Sequence, residues 1–342
     1  MYAIYYMLSI LIFSYMGVSL SHYQDSIVNN IVISKGSRDC SSRYEVIKEL
    51  AAQYKRPFTV LDLGASEGYF SFKLAHDFKA TCVMIEGNYK TDSEENTADY
   101  LEDLCKKNTD LNSIILLKKN ITPLELSILS ESEHFDIVLA LNVIHHFGSS
   151  WKQVIDALLD MGIHIIIETP PAEDKNAAGQ NYISLILDYL NTKNGILMAR
   201  FPRQTDGNVL DFMFLFTSTR TWLKRIHWQN SLPASDIDNY IITSTFDKKT
   251  FYKKKLDQLR SWYPGINLMT FKQLNGCYPS FKTITHELNK LEYIDHNDLK
   301  IWNIIINGNT LIPIDGDDPH WNLPWYNKND DFTVLLNYFK CV

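Results

Sequence analysis

"VLDLGASEGYF", Val60 to Phe70, decides how the first half of this chain is read. A short apolar strand runs straight into a turn that carries Gly64 and Gly68, and an apolar-periodic helix opens after it. Glycine lets such a turn adopt positive φ and lets a ligand come close to the backbone. The helix start adds N–H groups without intrahelical partners. A dinucleotide site would carry G-x-G-x-x-G, and Ser66 stands where the second glycine belongs, so a nicotinamide oxidoreductase is poorly supported.

Outward from this stretch, strands and helices alternate. Upstream, "SRYEVIKELAAQY" places Val46, Ile47, Leu50, Ala51 and Tyr54 at helical spacing, while residues 22–40 read as irregular. Downstream, "ATCVMIEG", "SIILLKKN", "FDIVLALNV" and "HIIIETP" read as strands, with "GYFSFKLAHDF", "TADYLEDLCKKN" and "SSWKQVIDALLDM" as helices between them. Such alternation predicts an α/β fold with a mostly parallel sheet covered by helices on both faces. After the helix "YISLILDYLNT", the runs "GILMARFP" and "VLDFMFLFTS" read as an antiparallel hairpin that finishes the sheet, with a boundary near Ser218.

The ordered set of motifs over residues 35–218 resembles the class I S-adenosylmethionine-dependent methyltransferases, whose fold is Rossmann-like. Asp62, Gly64 and Gly68, with Ser66 replacing the middle glycine, match that family's first motif. Glu86 ends the second strand, where the resemblance places an acid on the two ribose hydroxyls; a carboxylate can accept both hydrogen bonds. Asn120 matches the position near the adenine amine, and Asn142 ends the fourth motif, "FDIVLALNVIHHF". The resemblance therefore implies S-adenosyl-L-methionine as cofactor, held by Asp62, Gly64, Ser66, Gly68, Glu86, Asn120 and Asn142. His145, His146 and Glu168 follow strands at the edge where parallel sheets bind ligands, and are the candidates for acceptor-side contacts. A His-His pair can equally cap or pack, and Glu168 can equally anchor its loop.

A second chemistry sits near the other end. "DHNDLKIWN", Asp295 to Asn303, has the kinase catalytic-loop spacing H-x-D-x-x-x-x-N, and Asp315 follows in "LIPIDGDD". Asp298 would be the base, with Asn303 and Asp315 as magnesium ligands beside ATP. Between them "IIINGNTLIPI" reads as two strands around the turn "NGN", a hairpin that would bring Asn303 and Asp315 together. Residues 219–342 thus resemble a reduced, α+β kinase-like domain of the sugar-kinase kind, active or degenerate, with "INLMTFKQLNGCYPS" as a candidate hinge strand. The order methyltransferase then kinase resembles bifunctional enzymes that cap surface polysaccharides, which implies a saccharide or small-metabolite acceptor. The alternative class is a non-catalytic, membrane-attached binding protein.

Bulk properties narrow the choice. A net charge of -7, from 33 basic and 40 acidic residues, argues against a dedicated nucleic-acid binder. Five scattered cysteines without C-x-x-C suggest neither a zinc site nor a disulfide framework. "MYAIYYMLSILIFSYMGVSL" has no charged side chain, so residues 1–21 read as a membrane anchor or a signal segment, or as a buried helix. Lys35, Arg38, Arg43 and Lys48 follow it, and by the positive-inside rule they favour the cytoplasmic side for an anchored chain.

Overall fold

The computed structural model describes residues 22–55, 57–87, 96–173, 179–203, 206–218, 264–275, 290 and 304–313. Their centre is a seven-stranded sheet. Strands β3 (Thr59–Leu63), β4 (Thr81–Glu86) and β6 (Phe135–Leu141) are buried along their whole length, and β5 (Ile114–Lys118) alternates as an outer strand. With β7 (Gly162–Thr169), β8 (Ile196–Arg203) and β9 (Asp206–Thr217) the order is β5-β4-β3-β6-β7-β9-β8. β3 to β7 run parallel; β9 pairs antiparallel with β7, and β8 with β9. The chain winds outward from β3 first to β4 and β5, then restarts at β6 on the other side. That reversal opens a crevice at the carboxyl ends of β3 and β6, the usual ligand position in open α/β sheets.

Helices cover both faces. On one lie α1 (Cys40–Ala51) and α2 (Tyr69–Phe78), which bury Tyr44, Ile47, Leu50, Phe70 and Leu74 against Val60, Cys82, Leu139 and Ile166. Beside them, α3 (Thr97–Lys107) packs Leu101 and Leu104 on Phe72 and Met84. On the other lie α4 (Pro123–Ser132), α5 (Trp151–Met161) and α6 (Gln180–Thr192), with Leu126, Leu129, Ile155, Leu158 and Ile186 inward. Thr122 and Glu125 form a capping box at the start of α4, with Pro123 in its first turn.

Two segments differ from the sequence expectation. Residues 26–34 form a hairpin of β1 (Ser26–Val28) and β2 (Ile31–Ser34), turned by Asn29 and Asn30, both at positive φ. Asparagine tolerates that conformation, and it suits a two-residue hairpin turn. The expected hinge strand is short: β10 covers only Ile266–Asn267, and α7 (Leu268–Asn275) follows. The Asn267 side chain accepts from the Met269 N–H at 2.9 Å, while Leu268, Phe271 and Leu274 share one buried stripe. A local cap and a helical apolar spacing together favour helix over strand.

The "NGN" hairpin is present as β11 (Ile304–Asn307) and β12 (Thr310–Pro313), turned at Gly308–Asn309, with β10 on the outer side of β11. Its core is not separate. Ile266, Phe271, Ile304, Ile306 and Leu311 belong to the same apolar cluster as Leu117, Leu126 and Val138. Asp298, Asn303 and Asp315, and residues 1–21, lie outside the described residues. Among those described, no helix is long and apolar enough to cross a membrane.

One buried polar network fastens α1 to the far half of the sheet. The Arg43 Nε donates to both Glu168 oxygens at 3.0 Å, and its Nη2 reaches Asp211 at 3.2 Å. Arg38 donates to Asp211 at 2.9 Å, and the Arg43 guanidinium lies over the Phe201 ring, 4.8 Å from its centre. Glu168 and Asp211 are fully buried, so removing one cation would leave a carboxylate without compensation. Arg43→Met should therefore lower unfolding stability by about 3–5 kcal/mol in urea titration. Lys106→Met, which removes exposed ion pairs only, should leave the midpoint where it is.

Candidate functional site

The site grows from the turn after β3. Gly64, Ser66 and Gly68 all take positive φ, at 72°, 54° and 74°. A Cβ on Gly64 would stand 2.7 Å from the Val143 side chain, and one on Gly68 2.8 Å from Leu101, so both positions exclude any larger residue twice over. Ser66 carries backbone strain as a non-glycine in this region. Three contacts hold it there. Its N–H donates to Glu86 Oε2 at 2.7 Å, and its hydroxyl to Glu67 at 2.6 Å. The Gly64 N–H, two residues earlier, donates to the Ile85 carbonyl at 2.9 Å. The chain before the hairpin closes over the turn: Tyr23 and Gln24 N–H groups donate to Glu67, and the Gln24 side chain accepts from the first N–H of α2.

Glu86 therefore stands at the turn, not merely near it. Its Oε1 accepts from the Thr97 hydroxyl at 3.1 Å. Among the described residues each oxygen has one partner, and an ionised carboxylate offers about four acceptor positions, which leaves room for a diol. Burial pushes its pKa up to about 7 against the lowering effect of the Ser66 and Thr97 bonds.

Next to it, at the carboxyl ends of β3 to β6, is a cavity of about 160 Å³. Leu63, Ile85, Ile121, Val143 and Phe147 give it apolar walls, and Gly64, Gly87, Lys119, Asn120 and His146 complete it. Flat apolar walls with an amide and an imidazole at the rim suit a heteroaromatic ring. Burial lowers the His146 pKa, so its ring is neutral near pH 7. A larger groove of about 1150 Å³ is lined by Ser130, Asp160, Lys193 and Thr217 and opens beside Ile165 and Ser218, at the amino end of β7. Its lining follows α5 from Ser150 to Asp160 and includes no residue of the glycine turn.

Of the residues singled out from sequence, Gly64, Asn120 and His146 line the cavity, and Ser66, Gly68 and Glu86 build the turn beside it. The expected acceptor-side set is not assembled. Glu168 is enclosed by Arg43 and by the Asn142 amide, which donates to it at 2.6 Å. Asn142 ends β6 at positive φ and also donates to Asp211, so it serves the buried network and not the cavity. His145 is buried under its own turn, its ring 4.3 Å from that of His146. Asp62 points into the core and accepts from the Ser71 hydroxyl at 2.7 Å. Sequence reading passed over Lys119, Ile121, Val143 and Phe147, each a direct neighbour of a motif residue. No group of His, Cys, Asp and Glu among the described residues is arranged to hold a metal.

No family model matches the chain. A stretch of 150 residues is 29% identical to two Escherichia coli proteins described as "O-antigen chain terminator bifunctional methyltransferase/kinase WbdD". The match covers 40% of this chain and 19% of those proteins, so the chain spans about a fifth of their length. Among solved structures, a co-crystal structure of WbdD with the kinase inhibitor LY294002 aligns over 82% of this chain and 76% of that one, at 18% identity and a TM-score of 0.44. The N-terminal domain of EvdMO1 with SAH bound aligns over 57% of this chain and 90% of that one, at 14% identity and a TM-score of 0.40. The chain is thus similar in sequence to a protein that joins a methyltransferase to a kinase, the two resemblances carried by its own motifs.

Asp62 yields a test of how this corner is built. Burial raises its pKa from 3.8 to about 6, with the Ser71 bond opposing. The folded-state value lies above the unfolded one, so ionisation costs more in the folded chain. That destabilisation is absent below about pH 4 and complete above about pH 6. Asp62→Asn keeps an acceptor for Ser71 and should raise stability at pH 7 by on the order of 2 kcal/mol, with the gain shrinking as pH falls to 4. Thermal unfolding of both proteins across that range reads the difference.

Proposed function

We propose that residues 35–218 form an S-adenosyl-L-methionine-dependent methyltransferase, acting on a saccharide chain end or a small metabolite. The observation that carries this reading is the placement of Glu86. Its carboxylate is fixed at the glycine turn with acceptor positions to spare, next to an apolar cavity rimmed by Asn120. In this reading the cavity takes the purine, Asn120 bonds its edge, Glu86 takes the ribose diol, and the amino-acid tail lies by the Gly64–Gly68 turn. The donor supplies a methyl group on an already activated sulfonium. The acceptor displaces it and releases a proton, so the protein's task is mainly alignment. His146 lines the same cavity and in this reading serves the donor.

The similarity to WbdD, described as an O-antigen chain terminator and bifunctional methyltransferase/kinase, supports a saccharide chain end as acceptor, and the loop motif of residues 295–315 supports a second activity in residues 219–342. Asp298 would be the base of that activity, with Asn303 and Asp315 holding Mg²⁺ for ATP. The uncharged residues 1–21 would keep the enzyme on the cytoplasmic side of a membrane, where both donor molecules are available.

Calorimetric titration with the demethylated donor, S-adenosylhomocysteine, tests the reading. The wild type should bind, and Glu86→Gln should bind about tenfold or more weakly, the usual effect of losing hydrogen bonds to a charged group. A diol favours the ionised form of Glu86, so wild-type affinity should rise as pH passes upward through about 7 and level off above it. In Glu86→Gln that slope should vanish. Equal binding by the two proteins at every pH would remove the diol contact from the account.

A further inference from the structure

Lys119 joins three parts of the molecule. Its backbone N–H extends the β5–β4 ladder, donating to the Glu86 carbonyl at 2.7 Å. Lys119 is one of the residues that line the donor cavity. Its ammonium donates to the Leu274 carbonyl at 2.7 Å and pairs with the Glu125 carboxylate. Leu274 is in the last turn of α7, where carbonyls lack intrahelical partners and a lysine ammonium is a favourable cap. Glu125 is itself part of the α4 capping box, accepting from the Thr122 N–H and hydroxyl. Partial burial raises the Glu125 pKa, but the Lys119 and Thr122 bonds outweigh it and hold the group below its ordinary value. The loop Lys119–Asn120–Ile121 is therefore tied at one side to α4 and at the other to the carboxyl end of α7.

α7 is no loose appendage. Leu268, Phe271 and Leu274 are buried in the core that also contains Leu117, Leu126 and Leu129. At its start the Asn267 N–H donates to Glu133 at 3.0 Å, and the Gly265 N–H to the Thr59 hydroxyl at 2.9 Å. The hairpin beside it is fixed the same way: the Thr81 hydroxyl donates to Asn307, and the Asn309 N–H to the Asn112 carbonyl. α7 thus runs along β5, with Asn267 bonded to Glu133 just before β6 and the Leu274 carbonyl bonded to Lys119 just after β5.

We propose that Lys119 is a positioning residue through which the C-terminal segment sets the shape of the donor cavity, so that donor binding and α7 docking are coupled. This rests on the cavity being the donor site. Coupling in binding is reciprocal: if release of α7 weakens the donor, the donor tightens α7 by the same factor. The kinase-like half would then report its position to the methyl-transfer half through one ammonium group.

The test uses the full chain as wild type, Lys119→Met and Lys119→Arg, with amide exchange followed over residues 268–275 with and without S-adenosylhomocysteine. Ligand should slow exchange of α7 in the wild type about fivefold or more, although α7 does not line the cavity. In Lys119→Met, α7 should exchange faster without ligand, bind it about fivefold or more weakly and gain no protection from it. Lys119→Arg, which still offers donors to both Leu274 and Glu125, should restore protection. A purely structural role would change the ligand-free rate alone. Wild-type binding with unchanged α7 exchange overturns the coupling and leaves the functional reading intact. Absence of binding by the wild type overturns both, whatever α7 does.

Discussion

The hydrogen bond from the Ser66 N–H to the Glu86 carboxylate is the constraint on which the site depends. It joins the turn after β3 to the last side chain of β4, beyond the backbone bonds of Gly64 and Ala65 to the Ile85 carbonyl. It repays part of the strain of a serine at positive φ, and it fixes a carboxylate that burial alone would leave protonated near neutral pH. The glycines on either side allow the turn; this bond selects its shape. Without it, the Glu86 carboxylate beside the cavity would lose the backbone donor that fixes its Oε2.

Around that corner the structure separates two kinds of buried charge. Arg38, Arg43, Asp211 and Glu168 neutralise one another in a closed cluster that ties the N-terminal segment and α1 to the β7–β9 side. Such a cluster specifies how α1 sits and offers nothing to a ligand. Among the described residues Glu86 pairs with no cation; its partners there are an N–H and a hydroxyl, and its ionisation is open to change when something binds. The same distinction separates His145, packed under its turn, from His146, which lines the cavity.

These contrasts explain which parts of the molecule were legible in sequence. Strand-turn-helix order around Gly64, the strand–helix alternation of a parallel sheet, the closing antiparallel strands and the "NGN" hairpin each leave a local pattern, and each is present. Glu168 is a different case. It ends a strand at the ligand edge, as a contact residue would, but its partner Arg43 lies 125 positions earlier and no local signal pairs them. Asp62 has a motif position and a core environment, and only packing reveals that its carboxylate accepts from the Ser71 hydroxyl. The stretch after Gly265 holds both a two-residue strand and a helix, and the Asn267 side chain decides between them. The shared core of α7 and α4 was illegible for the same reason: apolar spacing marks a buried face but not the element it is buried against.

A crystal structure with S-adenosylhomocysteine bound is the most direct measurement of the central claim. The account predicts the purine between Ile85 and Val143 with its edge at Asn120, and both ribose hydroxyls on Glu86 while Ser66 keeps its bond. A ligand seated in the groove at the amino end of β7, or a Glu86 carboxylate that makes no contact with the ribose, would contradict it.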